Sequence, residues 1–207
     1  MDNSENATGN ERHRRLSDQV LDRLLRTART HNAFLLRPIP DALVRELYDL
    51  AKCGPTAANS TPARFAFVRS AAAKERLRPH LMPGNVDKTM AASCCAIIAY
   101  DSRFYELFGK LFPSRDMKAN FVGNAPLIEE TAKRNSTLQG AYLMLAARSL
   151  GLDCGPMSGF NAAGVDAEFF PDGRWKSNFL CNLGYGTDEN LFPRNPRLDF
   201  EEACLDL

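Results

Sequence analysis

CCAIIAY, residues 94–100, decides the fold because it is a continuous apolar run bounded by polar residues. It is too short to span a membrane and is typical of a strand buried on both faces of a sheet. RFAFVR (64–69) and SNFLCNLGYG (177–186) are the other strand-like segments. Helical patterns separate the three segments, which predicts an α+β protein with helices around a central sheet.

The strongest helical pattern runs over residues 126–150 and ends at Gly151. One face of its second half carries apolar and small residues, namely Leu138, Ala141, Tyr142, Leu145, Ala146 and Ser149. Small side chains let helices approach closely, so this face predicts a central, buried helix. Further helices are predicted from Ser17, from an Asp41 N-cap to Gly54, from a Ser70 cap to Pro79, over 86–92, and from an Asn161 cap to 170.

The 207 residues fit one domain, assigned to 16–207, behind a polar tail at 1–15 that we expect to be flexible. A net charge of +1 provides no overall field for nucleic acid or an anionic membrane, so neither partner is expected. The N-terminus lacks the apolar core of a secretory signal, so a cytoplasmic location is expected. The six cysteines lack CxxC spacing, which favours reduced thiols over a metal site.

Five places carry more polar or glycine residues than simple connections need. They are RTHN (29–32), GPTAANSTP (54–62), GNVDK (84–88), GPMSG (155–159) and the pair Arg194 and Arg197. Separated arginines suit a phosphate, and a lysine beside a redox ring stabilises developing negative charge. GxGxxG and P-loop motifs are missing from the sequence, so the set favours flavin mononucleotide over a dinucleotide. Each element alone is equally compatible with a cap, a turn or a surface cation.

The order of these elements along the chain resembles that of the FMN-dependent nitroreductase family. The resemblance covers residues 16–207, and within the family the chain is most similar to the malonic semialdehyde reductases. It rests on ARTHNAF (28–34), KCGPTAANSTPARFAFVRS (52–70), LRPHLMPGNVDKTMAA (77–92), RNSTLQGAYLMLAARSLGLDCGPMSGFNAAGVDAEFF (134–170) and WKSNFLCNLGYG (175–186). Stretches of this length are more specific than any single spacing.

The resemblance implies a three-layer fold with a mixed central sheet and an entwined homodimer that binds FMN at its interface. The cofactor-binding residues that it implies fall into four groups. They are Arg29, His31, Asn32, Arg194 and Arg197 at the phosphate, Asn85 and Lys88 beside the flavin and ribityl chain, Ser158 and Gly159 near N5, and Pro55, Thr56, Ala57 and Asn59 against the flavin of the other subunit. It implies no metal and no catalytic side chain, because the flavin itself performs the chemistry.

The implied reaction is a ping-pong transfer of hydride from NADH or NADPH through flavin N5 to a small aldehyde such as malonic semialdehyde. Two departures from the general family pattern favour this branch over nitroaromatic reduction. RTHN replaces the usual arginine–serine motif, and Ser158 replaces a frequent acidic residue. A broad nitro or quinone reductase and a non-catalytic flavin-binding protein are the alternatives. Residues 102–120 are predicted to be an excursion that can serve as a lid, and Arg64, Arg103, Arg115 and Lys118 are candidates to bind a substrate carboxylate.

Overall fold

A four-stranded sheet forms the centre of the molecule in the computed structural model, which describes residues 13–207. Its strands are β1 (Ala63–Val68), β2 (Cys94–Asp101), β3 (Asp153–Met157) and β4 (Trp175–Gly184), in the spatial order β1-β2-β4-β3. Every residue of β2 is buried, as its continuous apolar sequence predicts. Residues 1–12 of the predicted tail lie outside the described residues.

The three ladders of this sheet are all antiparallel. Phe65 pairs with Ile98, and Ala96 pairs with Cys181. The mixed sheet implied by the resemblance is therefore corrected for the described residues, where parallel pairing is confined to a bridge between Thr30 and Cys154 at the β3 edge. Antiparallel ladders form because each strand enters the sheet from the end opposite to its neighbour.

Helices cover both faces of the sheet. Their bounds are α1 (Asp18–Leu21, continued by a π-helical turn at Asp22–Arg26), α2 (Asp41–Ala51), α3 (Ala71–Leu77), α4 (Pro83–Ala91), α5 (Phe108–Leu111), α6 (Ala125–Ser149), α7 (Ala162–Phe169) and α8 (Phe200–Ala203). Short 3-10 turns lie at Ala57–Asn59, Arg78–His80, Phe104–Leu107 and Lys118–Asn120. The predicted caps Ser70 and Asn161 are confirmed, because each side chain accepts a hydrogen bond from a backbone N–H of the first turn.

The three layers follow from the alternation of side chains along β2. Ala96 and Ile98 point toward α2 and α6, where they pack with residues such as Leu47 and Leu143. Ile97, one position along, points to the opposite face, where α3, α4 and α7 pack. The predicted three-layer arrangement is therefore confirmed.

Two local predictions are corrected. Asp41 does not cap α2, because Pro40 occupies the cap position and Asp41 is the first helical residue, paired with Arg69 at 2.5 Å. The segment around Gly155–Met157, predicted as a loop, forms most of β3. Glycine and proline in this segment obscured the strand signal, and β3 is formed because its backbone pairs with β4.

The buried face of α6 agrees with the prediction only in part, because Ala146 is buried but several other predicted residues are not. Leu138, Ala141 and Tyr142 are exposed, whereas Asn135, Gln139 and Leu143 are buried. The buried amides bind backbone N–H groups: Asn135 Oδ1 accepts from Ala57 at 2.8 Å, and Gln139 Oε1 accepts from Ala63 at 2.9 Å. The inward face therefore includes polar side chains with specific partners, which apolar periodicity alone does not predict.

Gly140 sets the distance between α6 and the sheet. A β-carbon at this position would lie 2.5 Å from Cζ of Phe179 and 3.4 Å from Cγ2 of Ile98. We expect Gly140→Ala to lower the free energy of unfolding by about 1–3 kcal/mol through overpacking. Gly109→Ala is the matched control, since a β-carbon on that helical glycine meets no atom within 4 Å. Equal denaturant midpoints for the two variants would contradict this close helix–sheet contact.

The segment predicted as an excursion packs against the body through aromatic rings. Phe104, Phe108 and Phe121 are buried together with Tyr100 and Ala132. The ring centroids of Phe104 and Phe121 are 5.2 Å apart in an edge-to-face arrangement. These contacts fasten the beginning and end of the excursion to β2 and α6, and its role as a lid stays a prediction.

Asp101 anchors the same excursion through charge. Its buried carboxylate accepts from Arg64 Nη2 at 2.8 Å and from Arg174 Nε and Nη2 at 2.8 and 2.9 Å. It also accepts the backbone N–H of Arg103 at 2.8 Å. Burial by itself raises the pKa of Asp101, but the hydrogen bonds from Arg174 and Arg103 and the charge of Arg64 outweigh it, so the pKa lies below its ordinary value.

Candidate functional site

A cationic cleft of about 480 Å³ opens where the two ends of the domain meet α4. Its lining residues are Leu25, Ala28, Arg29, Thr30, Asn32, Lys88, Arg148, Phe192, Pro193, Arg194, Asn195 and Arg197. Five of them carry positive charge and none is Asp or Glu. A concave surface with this charge is suited to an anionic ligand.

The two chain ends are held together by reciprocal contacts. The guanidinium of Arg29 donates to the carbonyl of Phe192, and Arg194 Nη2 donates to the carbonyl of Ala28 at 2.9 Å. Asn32 Nδ2 donates to the carbonyl of Asn190 at 3.1 Å. The structure therefore brings both predicted arginine regions to one place, although most of the chain separates them in sequence.

Lys88 reaches the cleft from α4. Its Nζ lies 3.5 Å from Oδ1 of Asn32, which is a long contact for an ammonium donor. Burial lowers the pKa of Lys88, because the charged form loses water without gaining a strong partner. An anion bound in the cleft would offset this loss by pairing with the ammonium group.

Asn85 continues the same face of α4 toward the 158–159 loop. It precedes Lys88 by three residues, the spacing that places two side chains on one side of a helix. Asn85 Nδ2 donates to the carbonyl of Gly159 at 2.7 Å, and Met82 N donates to that carbonyl at 3.0 Å. A β-carbon on Gly159 would lie 2.6 Å from Asn85 Nδ2, so a larger residue there would displace the Asn85 side chain from this carbonyl. Ser158 beside it is exposed.

His31 lies outside this cleft, although its neighbours in sequence line it. Its buried ring lies 3.1 Å from the carbonyl of Thr187 through Nδ1 and 3.3 Å from Oδ1 of Asp153 through Nε2. The structure thus places the side chain of His31 at the sheet edge, away from the predicted phosphate contacts. Arg29, Asn32, Arg194 and Arg197 are the members of that group that line the cleft.

The loop with Pro55, Thr56, Ala57 and Asn59 is not part of the cleft of its own chain. Asn59 Nδ2 donates to the carbonyl of Leu111, and Thr61 N donates to Thr56 Oγ1. Ala58, Asn59 and Thr61 have φ values of 48°, 49° and 35°. Three non-glycine residues in this sparsely populated region mark a loop that its surroundings hold in a specific shape.

Arg148 is a cleft residue that sequence reasoning did not identify. It lies in the last turn of α6, and its Nη1 donates to the carbonyl of Leu24 at 2.9 Å. Arg23 Nε donates in return to the carbonyl of Arg148 at 3.1 Å. A cation in the last turn of a long helix is so common that its presence alone gave no signal of a site.

Arg64 is committed to structural contacts rather than free to bind a substrate. Its guanidinium donates to Asp101 at 2.8 Å and to the carbonyls of Thr61 and Ala63 at 3.0 and 2.8 Å. The other predicted carboxylate-binding candidates are Arg103, Arg115 and Lys118, whose side chains make no hydrogen bond or ion pair within residues 13–207.

Metal ligands, membrane-spanning helices and reactive thiols bear on the class of site. Within residues 13–207, no cluster of three or more His, Cys, Asp or Glu side chains is arranged to hold a metal ion. The helices described there are all too short or too polar to cross a bilayer. Burial raises the pKa of Cys94 to about 12, so this thiol is a poor nucleophile near neutral pH.

Comparison with known proteins agrees with this geometry. The model of the Nitroreductase family matches residues 25–185. Two relatives of this chain are named NADH dehydrogenase/NAD(P)H nitroreductase. The protein from Rhodopseudomonas palustris (strain TIE-1) is 65% identical, over 91% of this chain and 96% of its own length. The protein from Ralstonia nicotianae is 57% identical, over 91% of this chain and 97% of its own length. A nitroreductase crystal structure in complex with FMN from Exiguobacterium sibiricum 255-15 has the same fold, with a TM-score of 0.81 at 18% identity, covering 93% of this chain and 99% of that one. With a matching model over most of its length and a relative this similar, the chain belongs to the nitroreductase family.

Proposed function

We propose that this protein is an FMN-dependent oxidoreductase that uses NADH or NADPH to reduce a small carbonyl compound. The observation that carries the proposal is the cleft in which Arg29, Lys88, Arg148, Arg194 and Arg197 converge, with no acidic side chain among the residues from 13 to 207 that line it. A phosphate monoester carries the complementary charge and the acceptor oxygens that guanidinium groups bind best. The nitroreductase from Exiguobacterium sibiricum, which has the same fold and was crystallised with FMN, supports the choice of this cofactor.

The residues present fit FMN in two places, the phosphate in the cleft and the ring beside α4, where Asn85 and Gly159 lie outside the cleft lining. Arg29, Arg194 and Arg197 would hold the phosphate, because their guanidiniums lie at the two chain ends that form the cleft. Lys88 and Asn85 would follow the ribityl chain and ring along α4, and Gly159 would let the backbone approach the ring edge. When bound, FMN would be the hydride carrier between a nicotinamide and a substrate.

The side chains of the protein bind and orient rather than react. Lys88 is placed to stabilise negative charge that develops beside it, in a position where burial strengthens electrostatic interactions. Asn85 donates to the carbonyl of Gly159 and so holds the 158–159 loop in a fixed position beside α4.

A homodimer completes this proposal. Residues 55–59 would cover the flavin of a neighbouring subunit, since they do not reach the cleft of their own chain. Large apolar side chains are exposed on α1, on α6 and at the C-terminus, namely Leu16, Val20, Leu25, Leu138, Tyr142, Leu198, Phe200, Leu205 and Leu207. Exposed apolar groups in such number favour a partner surface, and a second copy of this chain is the partner we propose.

Malonic semialdehyde is the substrate we propose, on the basis of RTHN (29–32) and Ser158, the two departures from the general family pattern described above. Its carboxylate would be bound by a cation, for which Arg103, Arg115 and Lys118 are available and Arg64 is not. Reduction of nitroaromatics or quinones is the second candidate, favoured by the names of the relatives. A non-catalytic flavin-binding protein is the third candidate.

An absorbance spectrum and an anaerobic titration test the proposal. We expect the purified protein to be yellow, and sedimentation recorded at the flavin wavelength to give the mass of a dimer. One nicotinamide should bleach the flavin bands, and malonic semialdehyde should restore them faster than a nitroaromatic or a quinone. A colourless protein that does not take up FMN would refute the proposal. Bleaching without reoxidation by the aldehyde would favour the second candidate, and absence of bleaching would favour the third.

A further inference from the structure

His31 links the two segments that carry the cleft cations to the edge of the sheet. Its backbone N–H donates to the carbonyl of Cys154 in β3 at 3.0 Å. Its ring contacts the carbonyl of Thr187 and the carboxylate of Asp153. Arg29 and Asn32 lie within two residues of this anchor, and the 190–197 segment follows Thr187 directly. The position of His31 therefore affects both walls of the cleft.

Both groups that face the ring nitrogens of His31 are acceptors. The carbonyl of Thr187 can only accept, and an ionised Asp153 carboxylate can only accept. Nδ1 lies 3.1 Å from the former and Nε2 lies 3.3 Å from the latter, so both contacts are favourable only when both nitrogens carry a proton. In a neutral imidazole one ring nitrogen has no proton, so the lone pair of that nitrogen would face the lone pair of its oxygen neighbour.

The surroundings hold this arrangement in place. Asp153 Oδ2 accepts from Gly186 N at 2.9 Å, which fixes the carboxylate. The ring occupies the space where a β-carbon on Gly186 would stand, so only glycine permits the contact. The backbone carbonyl of His31 packs against Gly155, and the ring centroid of Phe34 lies 6.4 Å from that of His31. Asp153 is therefore the ionisable partner of His31 within the described residues.

We propose that His31 is a positioning residue whose protonated ring ties the 29–32 and 186–194 segments to β3, so that cofactor retention weakens as the ring loses its proton. Deprotonation acts at a distance, by loosening the backbone that carries Arg29, Asn32 and Arg194. This inference rests on the FMN site proposed above.

The test compares FMN affinity, measured by quenching of flavin fluorescence, from pH 6 to 9 in four proteins. They are the wild type, His31→Phe, Asp153→Asn and the control His13→Gln, which alters an exposed histidine. The second ionisation of the phosphate is common to all four, so it cancels in the ratio of dissociation constants. We expect His31→Phe to bind about tenfold more weakly than wild type at pH 6, the size of one charge-assisted hydrogen bond, with the ratio approaching one at pH 9.

Asp153→Asn separates positioning from simple packing. An asparagine amide can donate to neutral Nε2 while its oxygen still accepts from Gly186, so the pH dependence should flatten without loss of folding. A His31→Phe profile that is parallel to wild type at every pH, or an Asp153→Asn profile as steep as wild type, would overturn the inference. If His31→Phe fails to fold, the Asp153→Asn profile decides.

Nitrogen NMR of the imidazoles gives a readout that does not need FMN. The chain has three histidines, so the signals of His31 are those missing from His31→Phe or altered in Asp153→Asn. We expect both ring nitrogens of His31 to be protonated in the protein at pH 6. A single neutral tautomer at that pH would refute the inference even if FMN binds. Failure of the wild type to bind FMN would instead refute the proposed function and leave this NMR result to decide the charge of the ring.

Discussion

Asp101→Ala should lower the free energy of unfolding by about 3 kcal/mol, the lower end of the range for breaking a buried ion pair. The substitution removes the carboxylate that binds Arg64 and Arg174 and leaves both guanidiniums without their buried partner. We expect the lower end because both arginines are partly exposed and regain some water. Denaturant titration of the two proteins measures the difference.

The pH dependence of this difference follows from the lowered pKa of Asp101. A carboxyl whose pKa is lower in the folded state stabilises the protein. This stabilisation is fully present when the pH lies above the ordinary pKa of an aspartate, about 3.9. The difference between wild type and Asp101→Ala should therefore be constant near neutral pH and shrink as the pH falls through the folded-state pKa. Asp41→Ala is the matched control, because Asp41 pairs with Arg69 at the exposed surface and its loss should have little effect. Similar unfolding midpoints for the two variants would show that the Asp101 cluster does not stabilise the fold.

Arg29→Ala and Arg194→Ala should each weaken FMN binding by about 10- to 150-fold, because a hydrogen bond to a charged group contributes about 1.5–3 kcal/mol. Both guanidiniums lie in the cleft, where each donates to a backbone carbonyl of the opposite chain end. A phosphate is the stronger acceptor and would draw these donors away from the carbonyls. Equilibrium titration with FMN measures the effect, and the double variant shows whether the two arginines act on the same group.

Titration with riboflavin distinguishes the loss of a phosphate contact from a general loss of structure. Riboflavin lacks the phosphate, so its affinity should change little in either variant if the arginines bind that group. Arg76→Ala is the control for charge, since Arg76 pairs with Glu168 away from the cleft. Equal losses of FMN and riboflavin affinity would mean that Arg29 and Arg194 hold the two chain ends together rather than bind phosphate.

Much of the fold could be predicted from local sequence. The apolar run at 94–100 indicated the buried central strand, and the pattern at 126–150 indicated the long helix, found at Ala125–Ser149. The caps Ser70 and Asn161 were predictable because a cap interacts with backbone within three residues. Such features depend on neighbours in sequence, which the sequence shows directly.

Features that depend on distant partners were harder to predict. The predicted inward face of α6 was largely wrong because the helix instead buries Asn135 and Gln139, which bind the backbone of the 57–63 region. β3 was missed because Gly155 and Pro156 are poor strand formers that pair with β4 nonetheless. In both cases, a tertiary partner outweighed the local preference.

The sequence by itself determined the layers, the central strand and the polar segments that could form a site, together with a resemblance that assigned roles to them. Only the tertiary structure decided that Arg29 and Arg194 meet in one cleft with Arg148, and that His31 turns to Asp153 instead. The reason is physical. Periodicity and capping record interactions between near neighbours, whereas a binding site is formed by side chains that the fold brings together from far apart in the chain.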